Sequence, residues 1–154
     1  MALDPAGLET SFRNTVFPTT SIDPIVVAAQ WQSAVQAYAA NIVPASTTVA
    51  AASASLAGTL TGIFSTGGDP ASKAAGMEAA FLAWATAIGA GMVGFTPIPP
   101  VAPIGFAAEF AKPPNLWATT HAAAAALWAG KIDVWLKTGS ATLIAPPNTV
   151  VPWT

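Results

Sequence analysis

The chain has 154 residues, with five Lys or Arg, seven Asp or Glu, a formal net charge of −2 and 53% apolar residues. Charges this few and scattered exclude binding to a phosphate backbone, which needs several clustered basic side chains to release counterions, so nucleic acid is not an expected partner. With no Cys and a single His, His121, no disulfide, thiolate or His-rich metal framework is available, and no cofactor is expected.

The charges are also unevenly placed: residues 24–68 and 79–108 carry none. Such a surface has to be covered by a membrane, by other subunits or by copies of itself. The opening MALDPAGLET lacks the basic and apolar regions of a signal peptide, so none is expected.

Asp4-Pro5, Asp23-Pro24 and Asp69-Pro70 each read as a helix start. Asp caps a helix N-terminus well, and Pro fits the first turn, where its missing N–H costs nothing. The first predicts a short helix through about Phe12, broken by Pro18 and the Thr-Thr-Ser run after it. The second predicts a helix from Pro24 to about Val43, stopped by Pro44, with Val27, Trp31, Val35, Tyr38 and Ile42 as its apolar stripe. A third is predicted from Ser46 or Thr47 to about Ser65, with Val49, Ala52, Leu56, Leu60, Ile63 and Phe64 facing one way. The fourth, Pro70 to about Val93, repeats Ala74, Met77, Phe81, Trp84, Ile88, Met92 and Phe95 at three-four spacing, the pattern of a helix buried against neighbours.

Between residues 96 and 114 six prolines forbid a long helix and predict an extended belt. Its Ile98, Val101, Ile104, Phe106 and Phe110 predict that this belt packs rather than floats. A last helix is predicted from about Asn115 to Thr138, with Gly139 beyond its end. Trp117, His121, Ala124, Trp128, Ile132 and Trp135 line one face. Leu116, Ala123, Leu127 and Val134 line another, which predicts burial on two sides. The closing SATLIAPPNTVVPWT reads as an extended apolar arm that docks.

Motifs with chemical meaning are few. Gly89-x-Gly91-x-x-Gly94 has the spacing of a dinucleotide fingerprint, but that needs a strand before it and a helix after it. Here the order is reversed, so the glycines are expected to end a helix. Gly58-x-x-x-Gly62 has the spacing of close helix pairs in membranes, and tight packing inside an Ala-rich bundle is the preferred reading. His121 lacks a partner for nucleophilic or metal chemistry, and the seven acids form no cluster, so an enzyme is not expected. No stretch makes a convincing membrane span; 79–95 is uncharged but short and rich in Ala and Gly. Trp153 stands outside any helix, next to Val150, Val151 and Ile144. Together with Phe106 and Phe110 these are the candidate intersubunit contacts, since interface cores are rich in aromatics and poor in charge.

The run TPIPPVAPIGF, an Ala-rich helix and then GKIDVWLKTGSATLIAPPNTVVPW, spanning about Phe95 to Trp153, resemble small Ala/Pro-rich structural proteins of tailed bacteriophage virions. The resemblance implies a non-enzymatic component of the tail, baseplate or neck, located in the virion and assembled in the host cytoplasm. The expected architecture is all-α: a bundle of about four helices with a proline-rich belt and apolar arms. Residues 1–20 form an arm with a short helix, 21–138 the helical domain and 139–154 an extended arm. The expected partners are other copies of the chain and other structural subunits. Two alternatives are a small membrane-active helical protein, holin-like or pore-forming, and a helical adaptor module.

Overall fold

In the computed structural model, which describes residues 2–18 and 23–154, each Asp-Pro dipeptide opens a helix. The carboxylates of Asp4, Asp23 and Asp69 accept from the N–H groups of Ala6, Ile25 and Ser72 at 3.1, 2.9 and 2.9 Å. These caps begin α1 (Pro5–Ser11), α2 (Pro24–Ala39) and, after α3 (Val49–Ser65), α4 (Pro70–Ala90). A π-helical turn, Phe12–Val16, continues α1. The expected boundary between arm and domain, at residues 20 and 21, and the Thr-Thr-Ser run lie outside the described residues.

Most of each predicted stripe of α2, α3 and α4 is buried, with Val27, Ile63, Phe64 and Phe95 only partly so. Trp31, Val35, Tyr38 and Ile42, then Val49, Ala52, Leu56 and Leu60, then Ala74 to Met92 fall in one core. α3 packs against both α2 and α4. Phe81 of α4 is the hub, with ring centroids of Trp31, Trp84, Phe106 and Trp135 at 5.4–6.5 Å. Such aromatic pairs add roughly 0.5–1.5 kcal/mol each beyond the area they bury.

The protein is mostly helical but not all-α. Residues expected to form an extended belt and arm supply an antiparallel sheet of β1 (Phe95–Ile98), β2 (Ser140–Leu143) and β3 (Val150–Pro152), in the order β1-β2-β3. Thr96 faces Thr142, which faces Val150, and Pro97 faces Ala141, which faces Val151. Pro97 and Pro152 are tolerated because they lie on the outer strands, where a missing N–H breaks no central ladder. The rest of the belt is not wholly extended either. It holds α5 (Phe106–Phe110) and a 3-10 turn at Pro114–Leu116.

Helix ends depart from expectation for identifiable reasons. α2 stops at Ala39 because Val43 gives its N–H and C=O to Thr154, at 2.8 and 3.1 Å. α4 stops at Ala90 because the α2–α3 loop takes its last carbonyls: Ser46 Oγ donates to Ile88 O and Thr48 Oγ1 to Ala87 O, both at 2.6 Å. The last helix, α6 (His121–Leu136), starts at a Thr120 cap rather than near Asn115; Thr120 Oγ1 accepts from Ala123 N–H at 3.0 Å. Its second face is not buried as expected, since Leu116 and Val134 are 62% and 68% exposed. α1 lies against α6, and Leu8, Phe12 and Val16 are buried in the core.

Candidate interaction surface

Most of the charged side chains that this structure pairs serve the fold. Glu78 of α4 accepts from the N–H groups of Ile104, Gly105 and Phe106, the first two at 2.8 Å. It thereby pins the belt and begins α5, at a Gly105 whose φ of 103° suits a residue without a Cβ. Tyr38 donates to Asp133 Oδ1 at 2.7 Å, joining α2 to α6, and Lys137 pairs with the same carboxylate at 2.8 Å. Burial, then the Asp133 carboxylate, pushes the Tyr38 phenol above its ordinary value, so it stays a neutral donor to Asp133.

Glu109 takes Lys112 and, at 3.1 Å, Lys131. The hydrogen bond from Lys112, reinforced by Lys131, holds its carboxyl below the usual range, against the opposing effect of burial. His121 is exposed at the start of α6. Among the described residues, no group of three or more His, Asp or Glu is placed to hold a metal ion. Nor is any helix there long and apolar enough to cross a membrane.

The three glycines of the G-x-G-x-x-G run have separate packing roles. A Cβ on Gly89 would lie 2.9 Å from Pro97 and 3.3 Å from the Trp153 ring. One on Gly91 would lie 2.4 Å from Thr48 Oγ1, closing the loop that caps α4. Gly94 adopts φ 84° on the way into β1. The other glycine motif is corrected: Gly58 and Gly62 would meet nothing within 4 Å, so they do not bring two helices of this chain together.

The interface candidates divide. Trp153 is 0% exposed, set in a socket of this chain where a Cβ on Gly139 would come within 2.6 Å of its ring; it is not a surface anchor here. Phe106 is also buried, stacked on Trp128 at 4.7 Å. Val151 and Phe110 are half-buried. Val150 and Ile144 are exposed, at 59% and 64%.

Those two lie on a charge-free end of the molecule. Ile144 N–H donates to Gly94 O at 3.0 Å, and Val43 pairs with Thr154, so the loops around the sheet are stitched together. Val43, Val93, Ile98, Ile144 and Val150 are exposed there. The outward face of the sheet adds Thr96, Ser140, Thr142 and Pro152, with no charged side chain.

A second apolar surface lies at the other end of α6. Phe17, Phe110, Trp117, Leu127 and Trp128, with Glu109 at its edge, line a groove of about 250 Å³. Trp117 is 45% exposed, held by its N–H to Lys112 O at 2.9 Å. Sequence reasoning placed Trp117 and Trp128 in a buried helical stripe and missed this groove. The signal was Pro113-Pro114 and the Thr120 cap, which delay the helix and leave Trp117 on an extended segment.

Compared with protein-family models, with characterised proteins and with solved structures, the chain matches none.

Proposed function

We propose that the chain is a non-enzymatic structural subunit of a multi-copy assembly. The charge-free sheet end carries this reading. Val43, Val93, Ile98, Ile144 and Val150 stand exposed on segments that themselves carry no charged side chain. Large apolar side chains exposed together on one set of paired segments are the kind of surface that proteins use for contact. The aromatic groove at the opposite end of α6 gives a second, different patch. Copies paired through like sheet ends keep this second patch free for further subunits, so the assembly can grow beyond a pair. The resemblance over residues 95–153 narrows the proposal to a tailed-phage virion component of the tail, baseplate or neck.

Light scattering across a concentration series tests the reading. The full chain is expected to form oligomers that grow with concentration. Val150→Asp combined with Ile98→Asp, both on exposed side chains, is expected to shift it to monomer while helicity and melting temperature stay unchanged. A wild-type chain that stays a monodisperse monomer at high concentration without detergent overturns the proposal. A one-to-one complex through the groove alone would favour an adaptor module instead.

A further inference from the structure

Residues Val150–Thr154 are bound to the rest of the chain as a separable segment. The six residues before them, 144–149, are all exposed. Beyond this tether, β3 pairs with β2, Trp153 fills its socket, and Thr154 exchanges two backbone hydrogen bonds with Val43. The receiving site is built by residues outside the segment: Val43, Gly89, Pro97, Gly139 and β2. Gly139 leaves no room for a Cβ beside the indole, so the socket is shaped for this one large side chain.

The sheet edges decide how copies can share backbone bonds. Ile144 N–H donates to Gly94 O, which fixes the alternation and turns Phe95 and Pro97 outward on β1. Phe95 N–H is already used by Met92 O at 3.2 Å, and Pro97 has none. On β3, Leu143 N–H donates to Thr149 O and Trp153 N–H to Gly139 O, so Val150 and Pro152 face outward. Only Val150 offers a donor. Neither edge supports a further strand, so copies cannot join by strand addition, but they can exchange the strand they have.

We infer that, within the assembly proposed above, the Trp153 socket takes Val150–Thr154 of a second copy in place of the chain's own segment. The contacts of Val150–Thr154 are the same either way, and exchange gives up only the turn bond from Asn148 N–H to Ala145 O at 3.0 Å, so local concentration largely decides the occupant. A short tether presents its own segment at about millimolar effective concentration, so at ~10 µM chain roughly one copy in a hundred is exchanged. Copies that abut through the sheet end bring a neighbour's segment to a comparable concentration. Residues 144–149, extended, reach about 20 Å, enough to cross such a contact.

The chain has no Cys, which makes a disulfide diagnostic. Thr142 and Val150 are facing residues of β2 and β3. Full chains carrying Thr142→Cys or Val150→Cys are mixed, oxidised dilute and concentrated, and sized in parallel by light scattering. Exchange predicts a link between the two different chains that rises many-fold from about a hundredth as oligomers form. Val150→Cys alone should give no dimer, and the double variant should close within one chain when dilute. Oligomers whose mixed link stays at the dilute level overturn the exchange and leave the assembly reading standing. So does Val150→Cys linking to itself as readily as to Thr142→Cys, which indicates face contact. Absence of oligomers at every concentration overturns both.

Discussion

Indole N–H groups separate the tryptophans by role. Trp84 donates to Ser53 Oγ at 3.1 Å inside the core, and Trp135 donates to Ala102 O at 2.6 Å. Trp153 Nε1 is buried with no acceptor among the described residues. A buried donor left unpaired costs roughly 1–3 kcal/mol, so the Trp153 socket holds its occupant by shape and area. Trp84→Phe removes a bond and strands the buried Ser53 hydroxyl, whereas Trp153→Phe removes a polar group that had no partner. The first is expected to be the more destabilising by about 1 kcal/mol, a difference of ~2–4 °C in melting temperature for a chain of this size. Equal or reversed melting shifts would show that the Trp153 N–H is satisfied after all. The sequence marked Trp153 as a residue needing a home. That the home is its own chain was not legible, because Gly89 and Gly139 become a socket only after α4 and α6 are placed.

At the level of elements, what was legible was local. Asp-Pro caps and three-four stripes set the starts and buried faces of α2 and α4, because a cap and its helix lie within one turn of each other. The ends of α2 and α4 and the sheet were not legible, because Thr154 and the Ser46–Thr48 hydroxyls act from distant parts of the chain. The same distinction sorts the glycines. Gly58 and Gly62 lie in α3 with open space at the Cβ position, so Gly58→Ala and Gly62→Ala should each stabilise the monomer by about 0.5–1 kcal/mol. Gly139→Ala should destabilise it and expose Trp153. Thermal melts check the signs, and the red shift of indole emission checks the Trp153 displacement. If the α3 substitutions lowered stability, α3 would have a neighbour on that face.

For the whole molecule, the placement of charge decides what kind of association is available. Glu109, Lys112, Lys131, Asp133 and Lys137 gather around α5 and α6, while residues 24–68, 79–108 and 138–154 carry no charged side chain. The sheet end is built entirely from the uncharged stretches, so contact there has almost no Coulomb component to screen. Between 0.01 and 1 M salt the Debye length falls from about 30 to 3 Å, which would weaken an interface steered by opposite charges. Here association is expected to hold or tighten over that range, and to tighten further in sulfate, which favours apolar burial. Acid adds a second check. The Glu109 carboxyl is depressed in the folded chain, so its pairing stabilises above the ordinary carboxylate value of about 4.3. That contribution is lost as pH falls through the depressed folded value. Because Glu109 lines the groove end, acidification should lower the melting temperature before it dissociates oligomers held by the sheet end. Sedimentation across salt and pH, run beside thermal melts, reads both. Oligomers that dissolve in salt, or that part in acid while the fold is intact, would locate the contact at the charged end around Glu109.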